Sequence, residues 1–147
     1  MTEATITAEL MNFMKNQERG VVIKHADKST IGIPDISITG GGQTIWLEVK
    51  LVKYKKDRGF HLRDLVGFQG PQQRLVSLLD FHGSGAAYVF FFYNEMNRKW
   101  GVRILSGVSV VNMCNLDDII VASSEGKQFE EIWQWVIKRR KKHDTGF

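Results

Sequence analysis

The segment AAYVFFFY, Ala86 to Tyr93, is the longest unbroken apolar run in the chain. It is far too short to cross a bilayer, which takes about 20 apolar residues as a helix. It therefore reads as a strand buried inside a folded domain. KWGVRILS, Lys99 to Ser106, follows after the turn signal NEMNR, so the two segments are expected to pair as a hairpin. The VSVVNM segment that follows is either another short strand or part of a helix.

The N-terminal half supplies the other parts of a mixed α/β domain. Thr5 to Glu18 has helical spacing, with Ile6, Leu10, Phe13 and Met14 on one face. Thr7 is the expected N-cap region and Gly20 the C-cap. Val21–His25 and Ile33–Ile38 read as strands, with Ile36 and Ile38 on one face and Asp35 and Ser37 on the other. TGGGQ turns the chain back, because glycine reaches positive φ, into a third strand, Thr44–Leu51. The segment from Val52 to Gly70 reads as a basic loop. Pro71–His82 is a helix with proline at its start, where a missing N–H costs nothing. A last helix spans Lys127 to Lys142, with Phe129, Ile132, Trp133, Val136 and Ile137 on its apolar side. Trp133 belongs to the expected core, and Trp135 to partial burial or an interface. The order predicts one domain over residues 1–147, a central mixed β-sheet flanked by helices.

At 147 residues and 43% hydrophobic, the chain can bury a core without disulfides or a structural metal. Its single cysteine, Cys114, forms no disulfide within the chain and is expected as a core thiol. MTEATITAEL carries an acid and lacks the basic start of a secretory signal. A cytoplasmic protein without a membrane segment is expected, of a size that suits a phage or mobile element acting in its host's cytoplasm. Net charge is +4 and the sequence pI about 9.3, in the range that invites a nucleic-acid partner. The charge is concentrated: Lys50, Lys53, Lys55, Lys56, Arg58 and Arg63 in one segment, and Lys138 to Lys142 in another. Such patches can follow a polyanion backbone, or remain a solvated surface and tail.

The chemistry concentrates in GIPDISITGGGQTIWLEVKL, residues 32 to 51. Side chains alternate along a strand, so Glu48 and Lys50 share a face, and a hairpin through TGGGQ brings Asp35 near them. Two carboxylates suit a hard divalent cation such as Mg²⁺, with Mn²⁺ as substitute, which fills its remaining positions with water and phosphate. The backbone carbonyl of Val49 is a further candidate ligand. Lys50 would orient the attacking water and stabilise developing charge. The competing possibility is a solvated Glu48–Lys50 ion pair worth about 0.2–1 kcal/mol.

Pro34–Asp35, a glycine turn and Glu48–Val49–Lys50 resemble the PD-(D/E)xK nuclease signature. The helix beginning GPQQRL and the strand AAYVFFF resemble the segments that follow it in Holliday-junction resolvases and virus-type replication-repair nuclease domains. The resemblance runs from about Thr7 to Tyr93 and leaves the C-terminal third unmatched. It implies a restriction-endonuclease-like core and a metal-dependent endonuclease acting on DNA. Glu9 of the first helix would be a further acid near the metal. Gln73 is the favoured glutamine for orienting water or phosphate, with Gln72 and Gln69 the other options. A homodimer is likewise implied by the resemblance.

The basic segment, with Lys53, Lys55, Lys56, Arg58, His61 and Arg63, and Arg74 beyond it, would grip phosphates. It has no base-reading motif, so selection by DNA shape is expected, as at a branched junction. A restriction-like or flap/single-strand nuclease, a non-catalytic nucleic-acid-binding module and a protein-interaction domain remain the alternatives. His25, His61, His82 and His143 lack metal-ligand spacing, and surface or loop roles are expected for them.

Overall fold

The computed structural model describes residues 1–25, 33–55, 70–83, 85–107 and 128–144. Its elements are α1 (Glu3–Asn16), β1 (Val21–Lys24), β2 (Ile36–Gly40), β3 (Gln43–Tyr54), α2 (Gly70–His82), β4 (Gly85–Asn94), β5 (Lys99–Ser106) and α3 (Gln128–Asp144). The five strands form one mixed sheet in the order β1-β2-β3-β4-β5. The first three strands are an antiparallel meander, β4 runs parallel to β3, and β5 returns antiparallel to β4. A parallel neighbour cannot be reached by a tight turn, and α2 supplies the crossover. The VSVVNM segment and Cys114 lie outside the described residues.

The apolar run of β4 is buried from Gly85 to Phe92, and alternation divides it between two cores. Ala87, Val89 and Phe91 face one side with Ile45, Leu47 and Val49 of β3, beneath α1 and α3. Ala86, Tyr88, Phe90 and Phe92 face the other, with Val52 and Tyr54 of β3 and Val76 of α2. On that second side Tyr88, Phe90 and Phe92 form a stacked ladder, with centroids 5.7 and 6.1 Å apart. Trp133 is in the first core and Trp135 packs partly buried against it.

Several boundaries move from those the sequence suggests, each for a local reason. Helix α1 starts earlier because Thr2, not Thr7, is its N-cap: Thr2 Oγ1 accepts from the Thr5 amide at 3.1 Å. Thr7 lies inside the helix and donates to the Glu3 carbonyl. At the other end Gln17 is the C-cap, and Glu18, with φ of 55°, makes the left-handed step assigned to Gly20. β2 begins at Ile36 rather than Ile33, just after Pro34, which has no N–H for a ladder. β3 continues to Tyr54 because its pairing with β4 persists to Tyr54↔Asn94, so Lys53 belongs to a strand and not to the basic loop. The β2–β3 turn has Gly41 and Gly42 at φ of 60° and 75°, the geometry of a two-residue type I′ hairpin.

Two arginines of the C-terminal basic run tie layers together. Arg139 of α3 reaches Asp80 of α2 at 2.6 Å, and Asp80 also accepts from the Ala86 amide at 3.2 Å. The arginine passes over Gly85, where a Cβ would lie 2.8 Å from Arg139 Cγ. Arg140 donates to the Arg19 carbonyl at 2.7 Å. Among the described residues no helix is long and apolar enough to cross a membrane.

Candidate active site

The site forms where β3 outruns β2. The last paired residues of the meander are Lys24↔Ile36 and Ile36↔Leu47. One residue further in the same register, His25, Asp35 and Glu48 fall in a row across the sheet. Tyr88 continues the row through the parallel pair Glu48↔Tyr88. The His25 amide donates to the Asp35 carbonyl at 2.8 Å, which holds the residue ahead of β2 against the end of β1.

Among the described residues no strand pairs with the outer edge of β3 beyond Leu47, and carboxylates accept from its amides there. Asp35 Oδ2 accepts from the Val49 amide at 2.9 Å. Glu3 Oε2, from the first turn of α1, accepts from the Leu51 amide at 3.1 Å. Continued register would set Pro34 opposite Val49. Proline has no N–H, so no ladder bond reaches the Val49 carbonyl from there. That carbonyl shares its edge with the Val49 amide, facing the Asp35 side.

Glu48 and Lys50 project together from β3 onto the face of the sheet that bears α2. Both are buried, at 3% and 9% exposure, so the solvated ion pair is not what the chain builds. Lys50 Nζ lies 3.6 Å from Glu48 Oε1. Glu48 Oε2 is buried with no hydrogen-bond partner among the described residues. Burial above all, and then the neighbouring Asp35 charge, push the Glu48 carboxyl up to about 8; Lys50 opposes this, while a hydrogen bond with Asp35 and the Glu3 charge add to it. These influences favour the protonated carboxyl of Glu48 over its carboxylate, with Asp35 beside it as an acceptor. Burial, followed by the Glu48 charge, also raises the phenol of Tyr88.

The structure thus brings Asp35, Glu48, Lys50 and the Val49 backbone together. It sends Glu9 elsewhere. Glu9 is exposed and lines a groove with Met1, Ile6, Phe91, Trp100 and Phe129, on the side of the sheet away from Glu48. The acid that α1 delivers to the site is Glu3. Gln73 falls near the N-terminus of α2, in the crossover that follows β3. Lys53 and Lys55 are exposed at the end of β3, Lys53 on the face opposite Lys50 by alternation, and Arg74 is exposed on α2. Lys56, Arg58, His61 and Arg63, as well as Gln69, lie outside the described residues. His82 is exposed, its ring against Phe81.

Sequence reasoning missed Glu3 and Tyr88. The first carried a signal, an acid in the first turn after a threonine cap. The second is a hydroxyl-bearing ring in an otherwise apolar run, and only the β3–β4 register shows that it neighbours Glu48.

Among the described residues no three His, Cys, Asp or Glu side chains gather as a complete metal-binding group. Mg²⁺ does not require one: it commonly keeps several waters and binds through one or two carboxylates with substrate phosphate. The orphaned Glu48 oxygen beside Asp35 is a donor set that suits such an ion, because a cation there would offset the cost of ionising Glu48. Compared with known proteins, the chain matches no family model and no curated protein.

Proposed function

We propose that this protein is a metal-dependent endonuclease that hydrolyses DNA phosphodiester bonds on a restriction-endonuclease-like core. The observation that carries the proposal is the buried Glu48 carboxyl group, one oxygen unsatisfied among the described residues, between Asp35 and Lys50 on β3 beyond its last pair with β2. The resemblance of Pro34–Asp35 and Glu48–Val49–Lys50 to the PD-(D/E)xK signature supports the same conclusion, as does a mixed sheet with helices on both faces.

Asp35, Glu48 and the Val49 carbonyl would hold Mg²⁺ or Mn²⁺, with Glu3 adding negative charge from the far side of Leu51. When bound, the cation supplies charge neutralisation at the phosphate and acidification of water. The chain's own residues do the rest. Glu48 would give up its proton to solvent when a cation binds, and Asp35 is held in place by the Val49 amide. Lys50, whose ammonium is set by the Glu48 contact, orients the attacking water and donates to the phosphate oxygen as charge builds. Gln73 assists in orienting water or phosphate. The basic residues after β3 grip the backbone without reading bases, which favours selection by DNA shape, as in a Holliday-junction resolvase. A homodimer would present two such sites to opposed strands.

Four-way junction, flap, single-stranded and duplex DNA, each with Mg²⁺, Mn²⁺ or chelator, test this directly beside Lys50→Ala. Metal-dependent cutting by the parent and none by the variant is expected. Cutting in chelator, or equal cutting by the variant, refutes it. Salt-sensitive binding without turnover on any substrate would instead establish a non-catalytic binding module.

A further inference from the structure

The row of acids ends at His25, and beside that row the sheet face carries an aromatic pair that the proposed chemistry does not use. His25 and Trp46 have ring centroids 4.9 Å apart. The imidazole is fixed there by a 2.7 Å hydrogen bond between Nε2 and Ser37 Oγ, and Ser37 is buried. Trp46 precedes Glu48 by two residues on the same strand and face, a rise of about 7 Å. Its register partner on β2 is Ser37, and Ser37 in turn pairs with Ile23 of β1.

This part of the face is open among the described residues. Among the described residues helix α2 packs on β4 and β3, and one edge of Trp46 packs against the second core beneath it. Val21 and Ile23, on the same face as Ser37 and Trp46, are 60% and 47% exposed. His25 and Trp46 are each only partly buried. Two planar rings, one clamped by a buried hydroxyl, beside a phosphodiester site are chemically matched to a nucleobase. Bases in a duplex are stacked on one another and cannot use such a surface; an unpaired base can, whatever its identity, because every base has a π-face.

We propose that His25 and Trp46 form a stacking platform for an unpaired base next to the phosphate being cut, so that the enzyme selects strands that are single or splayed at a branch. This rests on the nuclease proposal for the meaning of "next to the phosphate", but not for the stacking itself. His25 and Trp46 are specificity residues here and take no part in bond cleavage.

Binding measured in chelator separates the two proposals, because no turnover occurs. The probes are one single-stranded oligonucleotide, its perfect duplex, and a single strand carrying 2-aminopurine. The parent is expected to prefer the single strand and to quench the 2-aminopurine. Trp46→Ala should bind the single strand about tenfold more weakly, leave duplex binding within about twofold and abolish the quenching. Trp46→Phe should retain most of both. His25→Ala should weaken the single strand alone, and serves if Trp46→Ala fails to fold. An abasic backbone bound as tightly as the normal single strand, or equal losses on both substrates in a folded variant, overturns the platform. Selective binding and quenching with no cutting of any substrate in Mg²⁺ or Mn²⁺ would overturn the nuclease and leave the platform standing.

Discussion

Glu3 accepts a hydrogen bond from the Leu51 amide at 3.1 Å, across 48 positions of sequence. Among the described residues β2 pairs with β3 only as far as Leu47, and beyond it this contact takes the place of a ladder bond and carries a negative charge to the side of Glu48. Glu9, six residues along the same helix and so turned to another of its faces, opens instead on the opposite side of the sheet. Glu3→Gln should therefore lower metal-dependent cleavage by about tenfold or more and raise the Mg²⁺ needed, whereas Glu9→Gln should change neither by more than about twofold. A Mg²⁺ titration of cleavage rate with both variants decides this; a larger loss in Glu9→Gln would reverse the assignment.

The raised pKa of Glu48 predicts how stability follows pH. A carboxyl whose folded pKa lies above its unfolded one binds its proton more tightly in the folded state. Its contribution is complete below the ordinary carboxylate range and is lost as pH rises through about 8. In chelator, Tm should fall over that window, and Glu48→Gln, which keeps the shape without the charge, should flatten the decline. Mg²⁺ should raise Tm more at the alkaline end than at the acidic end, since a cation and a proton compete for the same oxygens. Thermal melts at several pH values, with and without Mg²⁺, measure both effects.

Lys50 is the buried cation facing Glu48 at 3.6 Å. Lys50→Met should abolish cleavage and leave folding and most DNA binding intact. Lys50 also opposes the rise in the Glu48 pKa, so its removal should move the Glu48 midpoint above that of the parent. Carboxyl titration followed by NMR checks it; a midpoint moved downward would contradict the arrangement.

The Arg139–Asp80 pair at 2.6 Å joins α3 to α2 around the start of β4, and the Asp80 side chain is 1% exposed. Arg139→Met removes the cation and leaves a buried carboxylate behind, a change expected to cost about 3 kcal/mol. Asp80→Asn in the same background should recover part of the loss. Urea denaturation of the single and double variants gives the coupling. Because this arginine is occupied internally, Arg139→Met should weaken DNA binding far less than it weakens the fold.

Gly42 has φ of 75° in the turn that sets β2 against β3. Gly42→Val should cost about 1–2 kcal/mol through the left-handed strain of a residue with a Cβ. Gly41→Asn should be tolerated, since asparagine favours that position of a type I′ turn. The measurement is denaturant stability, and cleavage should fall with Gly42→Val in proportion to the folded fraction.

What could be read along the chain was whatever adjacent residues decide between themselves. Alternation placed Glu48 and Lys50 on one face, glycines at 41 and 42 permitted the positive φ of a tight turn, and eight apolar residues in succession demanded burial. These are properties of one strand or one turn, and Asp35 near Glu48 followed from combining them. The choice of Glu3 over Glu9 did not follow, nor did the neighbourhood of Tyr88, the internal duties of Arg139 and Arg140 or the meeting of His25 with Trp46. Helical periodicity names a face but not the strand edge it will meet, and strand alternation names a side but not its neighbour across a crossover. Those contacts depend on how far one element slides along another before its apolar groups interlock, a balance struck among residues scattered over the whole chain.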